Sequence, residues 1–79
     1  MSDQYKPVSC AIHSEYELAI MHNQSLHITW QDSNNEHQTL FAIPDDLFTR
    51  DHAEYLLITD VTGTQLELRL DKILEAIPA

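Results

Sequence analysis

The sequence predicts a mainly β fold with one N-terminal helix, in the form of a small, partly open antiparallel barrel of about five strands. Short runs of alternating apolar residues recur along the chain with turn-forming residues between them. Only one stretch near the start spaces its apolar residues as a helix does. At 79 residues, with 43% hydrophobic and 22% charged residues, the chain predicts a single folded domain spanning residues 1–79.

The first two segments are an arm and a helix. Residues 1–9 include Pro7 and show no periodic pattern, so we expect an extended N-terminal arm of low order. Residues 11–22 have helical spacing. The residues expected on the core face of this helix are Ile12, Tyr16, Ala19 and Ile20.

Two details of the helix remain open in the sequence. Ser14 and Glu17 have the form of a capping box, although Ser14 would equally fit inside a slightly longer helix. Leu18 and Met21 lie off the core face and form a second, smaller apolar strip. This strip is either further core or a contact surface.

The middle of the chain predicts a hairpin. Residues 25–31 alternate as a half-buried strand, and residues 32–35 are a run of turn formers. Residues 36–43 form the return strand, and its apolar end, from Leu40 to Ile43, should be well covered. Pro44 should end this strand because it cannot donate to a ladder, which leaves an irregular segment up to His52 with at most one helical turn.

The last third predicts a second hairpin and a final strand. Residues 55–61 and 66–70 alternate around a turn that contains the only glycine, Gly63. Leu66, Leu68 and Leu70 form one apolar face. Ile73, Leu74 and Ile77 then predict a short fifth strand before Pro78.

Charge restricts the possible partners. Thirteen acidic and four basic side chains give a formal net charge of −9. Such a chain repels phosphate backbones, so direct binding of nucleic acid is disfavoured. The acidity serves either solubility or attraction to a basic partner.

Targeting and redox signals are few. The single Cys10 cannot form an internal disulfide, and the sequence shows no signal peptide and no apolar run long enough for a membrane span. We therefore expect a cytoplasmic protein without membrane association.

Chemistry-bearing clusters are also few. Cys10 and His13 have the spacing of half a zinc site, but a second close pair is missing. No nucleophile elbow or glycine-rich phosphate loop is present, and the adjacent Asp45 and Asp46 are typical of a solvated loop. We expect no enzyme activity, no metal and no cofactor.

Several strings resemble one bacterial family. They are EYL at residues 54–56, LELRLDKI at residues 66–73, and Glu17-Leu18-Ala19 followed by His22. Further matches are Tyr5, Pro7, Cys10, Leu26, Ile28 and Thr29. Across nearly its whole length the chain resembles the Rho-binding antiterminator family, the YaeO or Rof proteins.

The resemblance implies an Sm-like barrel with the helix across one end. It also implies that the partner is the transcription termination factor Rho, a ring-shaped RNA helicase, which these proteins inhibit by binding its basic N-terminal RNA-binding domain. The helix region and the neighbouring strands would make the contact. Carried over by position, the partner-binding residues are His13, Glu15, Tyr16, Glu17 and Glu54.

Two alternatives stay open. The chain is either a non-enzymatic Rho inhibitor that causes antitermination or an Sm-like RNA-binding regulator that acts directly on transcripts. Arg69, Asp71 and Lys72, within the best-matched string, either contact the partner or have a structural role. In the structural reading, Arg69 pairs with Glu67 or Glu54, and Asp71 caps the following turn.

Overall fold

One helix precedes five strands in the computed structural model, which describes residues 4–79. The elements are α1 (Cys10–Met21), β1 (Leu26–Gln31), β2 (His37–Arg50), β3 (Ala53–Asp60), β4 (Gln65–Arg69) and β5 (Ile73–Pro78), with a 3-10 turn (Leu70–Lys72) before β5. The strands form one antiparallel sheet in the order β4-β3-β2-β1-β5. The predicted mainly β fold with one N-terminal helix and five strands is confirmed, and the sheet is open because its edges, β4 and β5, do not pair with each other.

The helix begins earlier than the capping box suggested. Ser9 is the N-cap, with extended backbone, and its hydroxyl oxygen accepts a hydrogen bond from the Ile12 backbone N–H at 3.3 Å. Of the two alternatives for Ser14, the longer helix is therefore the correct one, since Ser14 lies inside α1. The helix ends at Met21, and Asn23 follows with a φ of 50°, the left-handed conformation that asparagine tolerates.

The core lies between the helix and the inner face of the sheet. Tyr16 and Ala19 contribute from α1, and Ile20 packs against them. The sheet contributes Leu26, Ile28, Ala42, Leu56, Ile58 and Leu68, and the 3-10 turn contributes Leu70. Ile12 was expected in this core but is exposed, because the packed face of α1 is restricted to its second half.

The largest difference between the sequence prediction and the structure concerns β2. Pro44 does not end the strand, which continues to Arg50. The register against β3 shifts by one residue between Pro44 and Asp46, so a β-bulge absorbs the missing donor of Pro44. The segment expected to be irregular is therefore mostly strand, followed by a tight turn in which Asp51 and His52 both have positive φ.

The apolar end of the first hairpin is only half covered. Of the residues expected to be buried there, Ala42 is in the core and Leu40 packs against it. Phe41 and Ile43 point to the other face and are exposed. The reason is the strict alternation of side chains along a strand, which sends every second residue away from the helix.

Two aspartates close the hairpin turns. Asp32 accepts hydrogen bonds from the backbone N–H groups of Asn34 and Glu36, at 2.9 and 3.0 Å. Asp60 does the same for Thr62 and Thr64, at 2.9 and 3.0 Å. These bonds lower the pKa of both carboxyl groups, through the Glu36 N–H foremost at Asp32 and the Thr62 hydroxyl foremost at Asp60.

The predicted N-terminal arm is only partly described. Residues 1–3 of the arm lie outside the described residues, and residues 4–9 have no regular secondary structure. Tyr5 and Val8 nevertheless pack against the core. Among residues 4–79, no helix is long and apolar enough to cross a membrane.

Candidate functional site: the α1 ridge and its acidic surroundings

Three of the five predicted site residues meet in one cluster. His13 and Glu17 lie one helical turn apart on α1, with Nδ1 of His13 3.9 Å from Oε1 of Glu17. On its other side, His13 Nε2 lies 3.0 Å from Oε2 of Glu54 on β3. A carboxylate oxygen accepts hydrogen bonds, so the contact is a hydrogen bond in the tautomer of His13 that has its proton on Nε2. The cluster therefore ties α1 to the sheet.

Glu54 also holds the N-terminal segment. Its second oxygen, Oε1, accepts a hydrogen bond of 3.0 Å from the Tyr5 hydroxyl. Partial burial, the hydrogen bond to Glu54 and the negative charges of Glu54 and Asp71 raise the pKa of Tyr5 to about 12. Because both oxygens of Glu54 have partners within the chain, this carboxylate fastens residues 4–9 and α1 to β3.

A second fastening lies beside Tyr5. The Lys6 backbone N–H donates to Oδ2 of Asp71 at 3.0 Å, and Arg69 makes two bonds to the same carboxylate, at 2.6 Å to Oδ1 and 2.9 Å to Oδ2. Burial raises the pKa of Asp71, but Arg69 and the Lys6 N–H outweigh it and leave the pKa lowered. The Arg69 guanidinium also lies 5.8 Å from the centre of the Tyr5 ring.

These contacts correct the expected pairing of Arg69. Among the described residues its carboxylate partner is Asp71, two residues away, and not Glu67 or Glu54. Glu67 instead pairs with Arg50 across the sheet, at 2.6 Å. Sequence reasoning placed the carboxylates near Arg69 but had no signal for the bend at the 3-10 turn, which brings Asp71 back to Arg69.

The other two predicted residues lie on a different side of the helix. Tyr16 is 7% exposed, so most of its ring belongs to the core, and burial followed by the charge of Glu15 raises its pKa. Glu15 and the accessible edge of Tyr16 line a groove of about 260 Å³ between α1 and strands β1 and β5. The predicted site is thus divided between the cluster of His13, Glu17 and Glu54 and the groove lined by Glu15 and Tyr16.

An exposed apolar ridge separates these two parts. It consists of Leu18, 53% exposed, and Met21, 73% exposed, which we call the α1 ridge. Sequence reasoning found this second strip but left open whether it was core. The exposure shows that it is surface.

Carboxylates border the α1 ridge on both sides. Leu18 lines the groove that contains Glu15, and both ridge residues line a second groove, between α1 and β2, together with Glu17 and Asp46. Asp46 was missed because its segment was expected to be a loop. The bulge in β2 is what brings it beside the helix.

The positive charges are gathered elsewhere. No lysine or arginine occurs in α1, β1 or β5. Arg50 lies 4.8 Å from the Tyr55 ring, and Arg69 is the register partner of Tyr55. Lys72 lines the same cleft as Arg69, and Lys6 binds Asp71 through its backbone. The α1 ridge is therefore bordered by carboxylates, and α1 itself carries no lysine or arginine.

The described residues hold few candidates for a metal site. No group of three or more His, Cys, Asp or Glu side chains in residues 4–79 could hold a metal ion. Cys10 is a free, exposed thiol. What this surface can do is bind, through apolar anchors with an acidic border.

No protein-family model matches this chain, and no curated protein matches it.

Proposed function

We propose that this protein is a cytoplasmic, non-enzymatic inhibitor of Rho-dependent transcription termination that binds Rho and covers its RNA-binding surface. The observation that carries the proposal is the α1 ridge, Leu18 and Met21, bordered by Glu15, Glu17 and Asp46. Apolar anchors supply most of the affinity of such interfaces, while complementary charge supplies selectivity and a fast encounter. A surface that binds RNA is basic and complements this border.

The sequence supports the same partner. The strings EYL at residues 54–56 and LELRLDKI at residues 66–73 resemble the Rho-binding antiterminators. In the fold, these strings belong to β3, β4, the 3-10 turn and the first residue of β5. They include Glu54, Arg69 and Asp71, the residues that fasten the N-terminal segment and α1 to the sheet.

Covering the RNA-binding surface explains inhibition better than disassembly of the ring. The described part of the chain measures 36 × 25 × 18 Å, and its N-terminal segment is fastened by Glu54 and Asp71 rather than projecting as an arm. Such a body can lie on a binding surface but has no wedge to separate subunits. Competition with RNA is therefore the expected mechanism.

The test is a competition experiment on purified Rho. Binding curves for a pyrimidine-rich RNA are measured at increasing concentrations of this protein, and the assembly state is followed by mass photometry. Competition shifts the curves to higher RNA concentration, with the full signal recovered at saturating RNA and the hexamer intact. Loss of hexamers with unchanged RNA affinity of the remaining rings would mean that disassembly is the mechanism.

Matched variants then test the surface. Replacing the ridge by Leu18→Ser with Met21→Ser should abolish the competition, whereas Leu74→Ser, which removes an exposed leucine from β5, should preserve it. If the ridge variant binds Rho with the affinity of the wild type, the interface does not lie on α1. Absence of any binding of the wild-type chain to Rho would refute the proposed function itself.

The second candidate, an Sm-like regulator that binds RNA directly, is favoured by one observation. An open cleft of about 550 Å³ is lined by Trp30 and Tyr55, on which bases could stack, and by Arg69 and Lys72. Asp32 and Glu67 line the same cleft, and Arg69 is already paired with Asp71. Binding of oligouridine by the isolated protein at physiological salt would establish this candidate, and we expect no binding.

A further inference from the structure

A second exposed apolar patch lies on the outer face of the sheet, away from the helix. His27 on β1 is the register partner of Phe41 on β2 and of Ile77 on β5, so these three side chains form one row across three strands. The rings of His27 and Phe41 stack, with their centres 4.7 Å apart. Ile43 continues the patch two residues along β2, on the same face. We call these four residues the outer patch.

The outer patch is open to solvent. Phe41 is 54% exposed and Ile77 is 44% exposed, and Ile43 also counts among the exposed large side chains. Single exposed apolar residues are ordinary on a soluble protein, but a contiguous set across three neighbouring strands marks an interaction surface. This patch is separate from the α1 ridge because the helix covers the opposite face, where Leu26, Ile28 and Ala42 are buried.

Acidic and hydroxyl side chains border the outer patch. Glu75 lies two residues before Ile77 on the same face of β5 and opposite Thr29. At the other end, Asp45 accepts a hydrogen bond from the hydroxyl of Thr59, the register partner of Ile43. Neither β1 nor β5 carries a lysine or arginine, and the one cation of β2, Arg50, stands at its far end in an ion pair with Glu67.

We propose that the outer patch is a second protein-binding surface, for a partner that presents apolar side chains flanked by lysine or arginine. Phe41 and Ile77 are its anchors, since they are the exposed large side chains of the central row. Glu75 and Asp45 select the flanking cations. A second copy of this chain does not meet the requirement, because two surfaces with carboxylate borders on chains of net charge −9 repel each other. The proposal does not depend on Rho being the partner of α1.

The experiment is an NMR titration of the full, 15N-labelled chain with three probes. The first is a synthetic amphipathic peptide of leucine and lysine, the second has each lysine replaced by glutamate, and the third is oligouridine. We expect the leucine–lysine peptide to shift the amide signals of His27, Phe41, Ile43 and Ile77, and we expect the other two probes to leave them unchanged.

Two variants sharpen the result. In Phe41→Ser, the shift at Ile77 should need about tenfold more peptide to reach half its maximum, as expected for loss of an aromatic anchor. The variant should still fold, because the Phe41 side chain is largely exposed. Leu74 is on the same strand as Ile77 but is not part of the outer patch, so Leu74→Ser should bind as the wild type does. If Phe41→Ser is unexpectedly unfolded, Ile77→Ser replaces it.

Four outcomes would overturn the proposal. They are shifts confined to α1, equal binding of the leucine–glutamate peptide, shifts of the outer patch by oligouridine, and concentration-dependent shifts of the patch without any probe. The last would identify a second copy as the occupant, and sedimentation of the wild type and Phe41→Ser would then show a dimer that the variant lacks.

Discussion

Glu54 shows how much one carboxylate can organise in a small domain. It is bonded to Tyr5, 49 residues away in sequence, and to His13, 41 residues away. No sequence pattern signals such distant contacts, since only the folded sheet brings the three residues together. Glu54 was selected from the sequence as a partner contact, and its two internal bonds give it a positioning role that the sequence could not suggest.

The raised pKa of Tyr5 predicts an alkaline dependence of stability. Tyrosine in an unfolded chain titrates near pH 10, whereas Tyr5 in the fold titrates at about 12. The fold favours the protonated hydroxyl, so its stabilisation is complete below about pH 10 and is lost as the pH rises from about 10 to 12.

Urea unfolding between pH 9 and 12 measures this effect. Tyr5→Phe removes the hydroxyl, so the free energy of unfolding should decrease less between about pH 10 and 12 than it does in the wild type. At neutral pH the same variant should lower the free energy of unfolding by about 0.5 to 1.5 kcal/mol. Some alkaline dependence should remain, because burial also raises the pKa of Tyr16. A Tyr5→Phe profile identical to that of the wild type would mean that the Tyr5 bond to Glu54 is not formed in solution.

Glu17 tests the acidic border of the α1 ridge. Glu17→Lys should weaken the proposed binding to Rho by about tenfold, because it would place a cation against the basic surface of that partner. It should change the free energy of unfolding by less than about 0.5 kcal/mol, since the side chain is mostly exposed. Calorimetric titration of each variant into Rho measures the affinity. The control is Glu36→Lys, which makes the same change of charge in an exposed turn. If both variants bind alike, only net charge matters and α1 is not the contact.

At the scale of elements, the β2 bulge explains the main limit of prediction from sequence. Before it, Ala42 and Pro44 face the core, and after it Leu47 packs there instead, so the alternation changes phase between them. Because the alternation of buried and exposed residues changes phase at the bulge, the sequence of β2 does not alternate regularly over its whole length, and its second half is not recognised as a strand. Leu66, Leu68 and Leu70 have no such interruption, and their common face was predictable.

The leucine face of β4 predicts a large effect of a single truncation. Leu68 is 6% exposed and packs in the core, so Leu68→Ala should lower the free energy of unfolding by about 2 to 5 kcal/mol. Val61→Ala, in the exposed turn before β4, should cost less than about 0.5 kcal/mol. Urea denaturation of both variants measures the difference. Equal changes in the free energy of unfolding would mean that Leu68 does not contribute to the core.

Over the whole molecule, charge is distributed unevenly. The sequence could predict a net charge of −9, but the gathering of Lys6, Arg50, Arg69 and Lys72 near Tyr5 and Tyr55 needs the fold. That gathering leaves α1 and the outer patch without a lysine or arginine of their own.

This distribution predicts that the proposed binding to Rho is sensitive to salt. Exposed charges are screened over about 10 Å at 0.1 M ionic strength, so the affinity should fall steeply as salt is raised. The loss should appear mainly in the association rate, which stopped-flow or surface plasmon resonance measures directly. An affinity that does not change with salt would leave the apolar ridge as the whole basis of binding.

The open sheet has a consequence for how this protein behaves when concentrated. Edge strands β4 and β5 each leave a row of backbone groups with no strand beside them in residues 4–79, and β5 displays Leu74 and Ile77. At neutral pH, mutual repulsion between acidic copies keeps such edges apart. Near the pI of about 4.6 that repulsion disappears. Light scattering should therefore show a solubility minimum close to pH 4.6, which salt at neutral pH would only partly reproduce.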